Sequence, residues 1–98
     1  MPKRQTGPKS IHSAEYAAFC VWLTETRTEQ GVTQVALAKA LGVSQPYISH
    51  VENGDVRVDA VQLYRWLQAL DVDPVGWHGE LYARMDRAAK AGRRKRQG

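Results

Sequence analysis

The sequence predicts an all-α domain of five helices over residues 13–84, with a flexible basic arm before it (1–12) and a helix end and basic tail after it (85–98). Helix N-caps recur along the middle of the chain, and apolar residues at helical spacing follow them. A chain of 98 residues is long enough for one domain with a modest core. The predicted caps are Ser13, Thr33, Ser44, Asp59 and Asp73.

The first helix is predicted from the cap Ser13 to about Gln30, with Gly31 ending it. One face of this helix carries Tyr16, Phe19, Cys20 and Leu23. Because Cys20 is the only cysteine, the chain cannot form an intramolecular disulfide. Cys20 is interpreted as a small core residue rather than a reactive thiol.

The second and third helices are predicted to form a helix-turn-helix. After Thr33, the helix from Gln34 has apolar residues at helical spacing up to Leu41. Gly42 suits a left-handed helix end, and Ser44 caps a third helix from Gln45 to about Val51. The outer face of that helix is polar, which is typical of a helix that enters the major groove of DNA.

This segment resembles the helix-turn-helix of phage repressors and Cro proteins, the XRE-type regulators, and the likeness extends loosely over about residues 13–82. It implies a five-helix repressor-like domain that binds double-stranded DNA. The matching residues are Thr33, Gln34, Leu37, Ala38, Leu41, Gly42, Val43, Ser44, Gln45, Ile48, Ser49, Glu52, Asn53 and Gly54.

The fourth helix is predicted at 60–70, and the fifth begins at Asp73 and Pro74. Three tryptophans are many for so small a core. Trp66 and Trp77 are therefore either core residues or, together with Leu81, candidates for a dimer interface, where large aromatic side chains are enriched.

The predicted DNA-reading residue is Gln45, whose amide can pair with adenine N6 and N7 in the major groove. The resemblance adds Gln34 and Asn53 as phosphate contacts, and it places the loop with Arg57 along the DNA backbone. It also implies a structural ion pair between Arg27 and Glu52. The other candidates for DNA contact are Ser44, Pro46, Tyr47, Ser49 and His50.

The net charge of +4 hides an asymmetry, because residues 1–12 carry +3, residues 85–98 carry +5 and residues 13–84 carry −4. The basic charge therefore lies in the tails, and the motif has to support the DNA-binding interpretation. The N-terminal arm is either a solvated tail or a contact to phosphates and the minor groove. Residues from Met85 on are expected to be a frayed helix end or a disordered tail that adds salt-sensitive affinity for DNA.

Other function classes find little support in the sequence. No nucleophile–base pair, carboxylate dyad, phosphate loop or Cys/His metal cluster is recognisable, so we expect no enzyme activity, no metal and no cofactor. No apolar run is long enough to span a membrane, and no signal peptide is apparent, so the expected location is cytoplasmic.

The sequence thus predicts a sequence-specific transcriptional regulator, a homodimeric repressor that reads a palindromic operator with 45–51. The alternatives are an antitoxin that also binds a toxin, a controller of a restriction-modification operon, and a nucleoid-like binder driven by the tails. A helix-turn-helix repurposed for contact with another protein partner is the remaining alternative.

Overall fold

The computed structural model describes residues 13–97, with side chains for residues 13–92. The predicted arm at 1–12 lies outside the described residues. The described chain forms five helices and no strand, which confirms the predicted fold class. The helices are α1 (Ala14–Glu29), α2 (Gln34–Leu41), α3 (Gln45–Glu52), α4 (Ala60–Leu70) and α5 (Pro74–Gln97).

Each helix begins directly after a predicted cap. The side-chain oxygen of each cap accepts a hydrogen bond from the backbone N–H three residues later, which satisfies a donor that the helix itself leaves unpaired. The capping bonds are Ser13 to Tyr16 (3.0 Å), Thr33 to Ala36 (3.0 Å), Ser44 to Tyr47 (3.3 Å), Asp59 to Gln62 (2.8 Å) and Asp73 to Gly76 (3.0 Å).

The core is assembled from all five helices. Helix α1 packs against α5 and α3, and α2 packs against α3 and α4. The predicted inner face of α1 is buried, as are the apolar residues of α3. The largest fully buried side chains are Trp66, Leu23, Leu37, Ile48, Leu70 and Val51.

The structure decides between the two alternatives for the tryptophans of α4 and α5. Within a single chain, Trp66 is already fully buried, and the side chains of Trp77 and Leu81 are only 4% and 8% exposed. These three side chains belong to the core, so they are not available as the surface of a dimer. On α4, Val61 and Tyr64 instead face outward, at 62% and 64% exposure.

A buried hydrogen bond joins α1 to α5. The indole N–H of Trp77 donates to the hydroxyl of Thr26 (2.7 Å), and that hydroxyl donates to the backbone carbonyl of Trp22 (2.6 Å). The Trp22 ring stacks on the Trp77 ring with centroids 5.9 Å apart, and its indole N–H donates to the Trp77 carbonyl (3.1 Å). This cluster fixes the start of α5 against the last turns of α1.

Helix α5 continues beyond Met85, where we expected a frayed end or a disordered tail, and its backbone is helical to Gln97. Ion pairs four residues apart support this length, because Arg84 binds Glu80 (2.9 Å) and Lys90 binds Asp86 (3.0 Å). The Arg84 guanidinium also binds Glu25 on α1 (3.0 Å). The hydrogen bond to Glu80 is the main reason why the pKa of Arg84 is raised.

Candidate nucleic-acid interface

The turn between α2 and α3 depends on a left-handed glycine. Gly42 has φ +71° and ψ +32°, a conformation that a residue with a Cβ adopts only at a cost. The backbone N–H of Gly42 donates to the carbonyl of Lys39 (3.2 Å), and the backbone N–H of Val43 donates to the carbonyl of Ala38 (3.0 Å). These bonds satisfy the end of α2 and turn the chain sharply into α3.

Helix α3 buries one face and presents the other. Ile48 and Val51 are fully buried against the core. Tyr47 is half-buried, and its ring lies 6.4 Å from the Trp66 ring, so part of this predicted DNA contact serves packing. Of the other candidates, Ser49 is half-buried, and Ser44, Gln45, Pro46, His50 and Asn53 are exposed.

The predicted ion pair lies between α1 and the end of α3. The guanidinium of Arg27 contacts the carboxylate of Glu52 through two nitrogens, at 2.6 and 3.1 Å, and a third nitrogen donates to the carbonyl of Val32 (2.8 Å). The two charged side chains are only 11% and 5% exposed. A bidentate, shielded pair of this kind orients its two helices, and removing one partner leaves a buried charge unpaired.

Two glutamines extend this pair to the surface. The amide N–H of Gln34 donates to the Glu52 carboxylate (2.9 Å), and the amide N–H of Gln45 donates to the Gln34 carbonyl oxygen (2.7 Å). An ionised carboxylate can only accept, so Gln34 must turn its NH₂ group inward and its oxygen toward Gln45. Gln45 then retains one free N–H and its carbonyl oxygen, the donor and acceptor that adenine N7 and N6 require.

The segment after α3 is held against the first turns of α1. Gly54 takes φ +84°, and a Cβ there would lie 3.7 Å from the sulfur of Cys20. The Tyr16 hydroxyl donates to the carbonyl of Val56 (3.5 Å), and the Arg57 guanidinium lies 4.8 Å from the centre of the Tyr16 ring. Desolvation by burial is the main reason why the pKa of Tyr16 is raised.

One contact at this surface was not predicted from the sequence. The Nδ1 atom of His50 lies 3.3 Å from a carboxylate oxygen of Asp55, and both side chains are more than half exposed. The amide of Asp55 also donates to the carbonyl of His50 (2.8 Å), which closes the turn that brings the two side chains together. The Glu-Asn-Gly sequence that ends α3 was the available signal for this turn. It directs residue 55 back onto the helix.

In residues 13–97, no helix is long and apolar enough to cross a membrane. The same part of the chain contains no group of three or more His, Cys, Asp or Glu side chains placed to hold a metal ion.

Comparison with known proteins places this geometry in a family. A model described as "helix-turn-helix" matches residues 23–77. A solved structure of an XRE-family like protein from Pseudomonas syringae pv. tomato strain DC3000 is 33% identical and has a TM-score of 0.68, over 81% of this chain and 96% of that chain. A point mutant of the restriction-modification controller protein C.Esp1396I is 22% identical with a TM-score of 0.67, over 74% and 97%. At that identity the likeness concerns the fold. No curated protein matches significantly.

Proposed function

The chain belongs to the helix-turn-helix family of XRE-type DNA-binding transcriptional regulators, and on that premise we propose that it is a dimeric repressor that reads a palindromic operator with α3. The observation that carries the proposal is the chain of contacts from Arg27 through Glu52 and Gln34 to Gln45. It presents one exposed amide in a fixed orientation, which is what base recognition requires and what general phosphate binding does not.

The surrounding side chains support a contact to the DNA backbone on both sides of Gln45. Ser44, Pro46 and His50 lie on the exposed part of α3 or its cap, Ser49 is half-buried beside them, and Asn53 follows directly after the helix. Arg57 lies on the adjoining loop, where Asp55 and Asp59 repel the same phosphates and so limit its contribution. We therefore assign base reading to Gln45 and positioning to these neighbours.

One domain reads only a few base pairs, so useful affinity and specificity require two copies on one DNA molecule. Exposed apolar side chains on α4 and α5 support dimerisation through these helices. On α5, Val75 and Tyr82 are seven residues apart on one helix face and are 81% and 76% exposed. Gly79 lies between them with open space around its Cα, which allows a second helix to approach closely.

The function is tested by selecting bound sequences from random duplex DNA with the full-length protein. We expect an inverted repeat whose half-site centres are about 34 Å apart, or a multiple of that distance. Gln45→Ala should relax the preference at one position in each half-site, by about 1–3 kcal/mol of discrimination. The matched control is Gln68→Ala, an exposed glutamine on α4 that should leave the preference unchanged. Recovery of no enriched motif from the wild-type protein would refute the proposal.

The dimer is tested separately by sedimentation at micromolar concentration. The double variant Val75→Glu/Tyr82→Glu should be monomeric and should bind the inverted repeat weakly, because two charges would have to be buried in the interface. Val21→Glu is the control, since Val21 is 51% exposed on α1. A wild-type protein that sediments as a monomer with and without operator DNA would rule the dimer out.

A further inference from the structure

The arrangement of α1 and α5 determines where the basic end of the chain lies. The two helices are antiparallel, because Trp77 near the start of α5 bonds to Thr26 near the end of α1, whereas Ala88, three turns later on α5, lies by Ala14 at the start of α1. A shallow surface groove is lined by residues of both helices, Ala14 and Ala88 among them. The nine residues after Ala88, up to Gln97, therefore continue past the start of α1, by about 14 Å at the rise of an α-helix.

This projecting segment is strongly cationic. Residues 87–97 contain six lysines and arginines and no acidic residue. Cations three and four residues apart on a helix repel each other, so the segment is helical at an electrostatic cost that a polyanion would remove. Its two described cations are held only by exposed pairs, Arg87 with Glu80 (3.7 Å) and Lys90 with Asp86 (3.0 Å). Such pairs contribute little and can be exchanged for phosphates.

The same end of the molecule carries the segment that leaves α3. Tyr16, in the first turn of α1, contacts both Val56 and Arg57, and Gly54 lies beside Cys20 one turn later. The exit from α3 and the projecting part of α5 thus converge on the first turns of α1. In the proposed function this exit runs along the DNA backbone, so the basic segment starts close to the flank of the half-site.

We propose that residues 87–97 form a second DNA contact, a basic helix that binds phosphates outside the half-site read by α3. The inference rests on the proposed function for its location, but it concerns a separate element. The contact adds affinity without sequence preference, because phosphates carry no base information. It also explains how a body with a charge of −4 over residues 13–84 approaches DNA.

The test compares the full-length protein with a variant that carries Arg93→Gln, Arg94→Gln, Lys95→Gln and Arg96→Gln. The control is Arg65→Gln, which removes an exposed cation from α4. Affinities for a duplex with the selected site and long flanks, and for a random duplex, are measured over a range of salt concentrations. Each lost phosphate contact reduces the salt slope by about 0.9, so the quadruple variant should lose roughly 3 to 4 on both duplexes.

Two further readouts separate a bound helix from a change in net charge. Hydroxyl-radical footprints should shorten at the outer flanks in the quadruple variant and keep the same centre and base preferences. Amide hydrogen exchange in residues 87–97 of the wild-type protein should slow when duplex DNA is added, since bound phosphates relieve the repulsion along the helix.

An unchanged salt slope and footprint in the quadruple variant would overturn the inference. An acidic protein would then be the next class of ligand to test for the basic helix. The inference would also be overturned if Arg65→Gln lost as much salt slope per removed cation as the quadruple variant does. The net charge of the protein would then explain the effect without a bound helix. If the wild-type protein selects no site, the proposed function fails, while the slope on the random duplex still decides whether this helix binds DNA.

Discussion

At the scale of the residue, the Thr26 hydroxyl joins α1 to α5 inside the core. The residue is 4% exposed, and its hydroxyl accepts the indole N–H of Trp77, 51 residues away. Thr26→Val keeps the shape of the side chain but leaves that N–H without a partner in the core. We expect the free energy of unfolding to fall by about 1–3 kcal/mol, measured by urea titration.

The matched control for this change is Thr28→Val on the same helix. The Thr28 hydroxyl is exposed and bonds only to carbonyls of its own helix, at 3.2 and 3.0 Å. Its replacement should alter stability by less than about 0.5 kcal/mol. Equal losses in the two variants would show that the bond to Trp77 contributes nothing specific.

A second residue-scale prediction separates stability from base recognition. Glu52→Met leaves the charge of Arg27 buried and should destabilise the protein by about 3–5 kcal/mol. The double variant Arg27→Met/Glu52→Met should recover most of that stability, because no unpaired charge remains. It should not recover the proposed preference for adenine, since Gln34 has lost the acceptor that orients it.

The two properties are measured by urea unfolding and by binding to operators with single-base changes. A double variant that is stable and still reads the base would show that Gln45 orients itself without Glu52.

Single residues also show how far the sequence could predict this site. The caps and Gly42 were predictable, because capping and left-handed turns involve neighbours three or four residues away. The ion pair of Arg27 and Glu52 could be predicted only from the family resemblance, because the two residues are 25 positions apart in the sequence. The role of Thr26 was not predictable at all, because Trp77 is brought to it by the packing of α5 on α1.

At the scale of the element, the turn before α3 makes the clearest prediction. Gly42→Ala introduces a Cβ at φ +71° and should cost about 1–2 kcal/mol, although nothing lies within 4 Å of the new atom. The same change at Gly92, which lies in α5 without a positive φ, should instead be neutral or stabilise by up to about 1 kcal/mol. Thermal unfolding of both variants measures this difference. If both substitutions lowered stability, or both raised it, the backbone conformation of Gly42 would not be what limits the turn.

The helices themselves were predictable in number and in their starting points, but not in length. Local caps define where a helix begins, whereas the end of α5 depends on contacts that the sequence alone does not display. Arg84 is held by Glu25 on another helix and lies 4.3 Å from the ring centre of Trp22. These contacts anchor the middle of α5, from which the helix continues to Gln97.

At the scale of the whole molecule, the buried thiol links folding to pH. Cys20 is 6% exposed, its sulfur donates to the carbonyl of Val51 (3.5 Å), and burial raises the pKa of its thiol. The folded state therefore keeps a proton that the unfolded state loses above about pH 9, the ordinary value for a thiol. Stability is unaffected below that pH and falls as the pH rises through the folded pKa, by at most about 1.4 kcal/mol per pH unit.

The measurement is the free energy of unfolding between pH 8 and about 10.5 for the wild-type protein and for Cys20→Ala. The variant is less stable throughout because it leaves a cavity, but it should lose less stability as the pH rises. Tyr16, whose pKa is also raised, contributes to the decline in both proteins. Parallel curves would show that the thiol does not contribute.

The antiparallel pairing of α1 and α5 has a practical consequence for work with this protein. The described chain begins at Ser13 and ends at Gln97 at the same end of the molecule, next to the segment that leaves α3. In the proposed complex, a probe attached at Ser13 or Gln97 would therefore lie beside the DNA. The connector of α4 and α5 at Asp71 and Val72 lies by the opposite end of α1, where Gln30 contacts Leu70, and it is the better place to attach a probe.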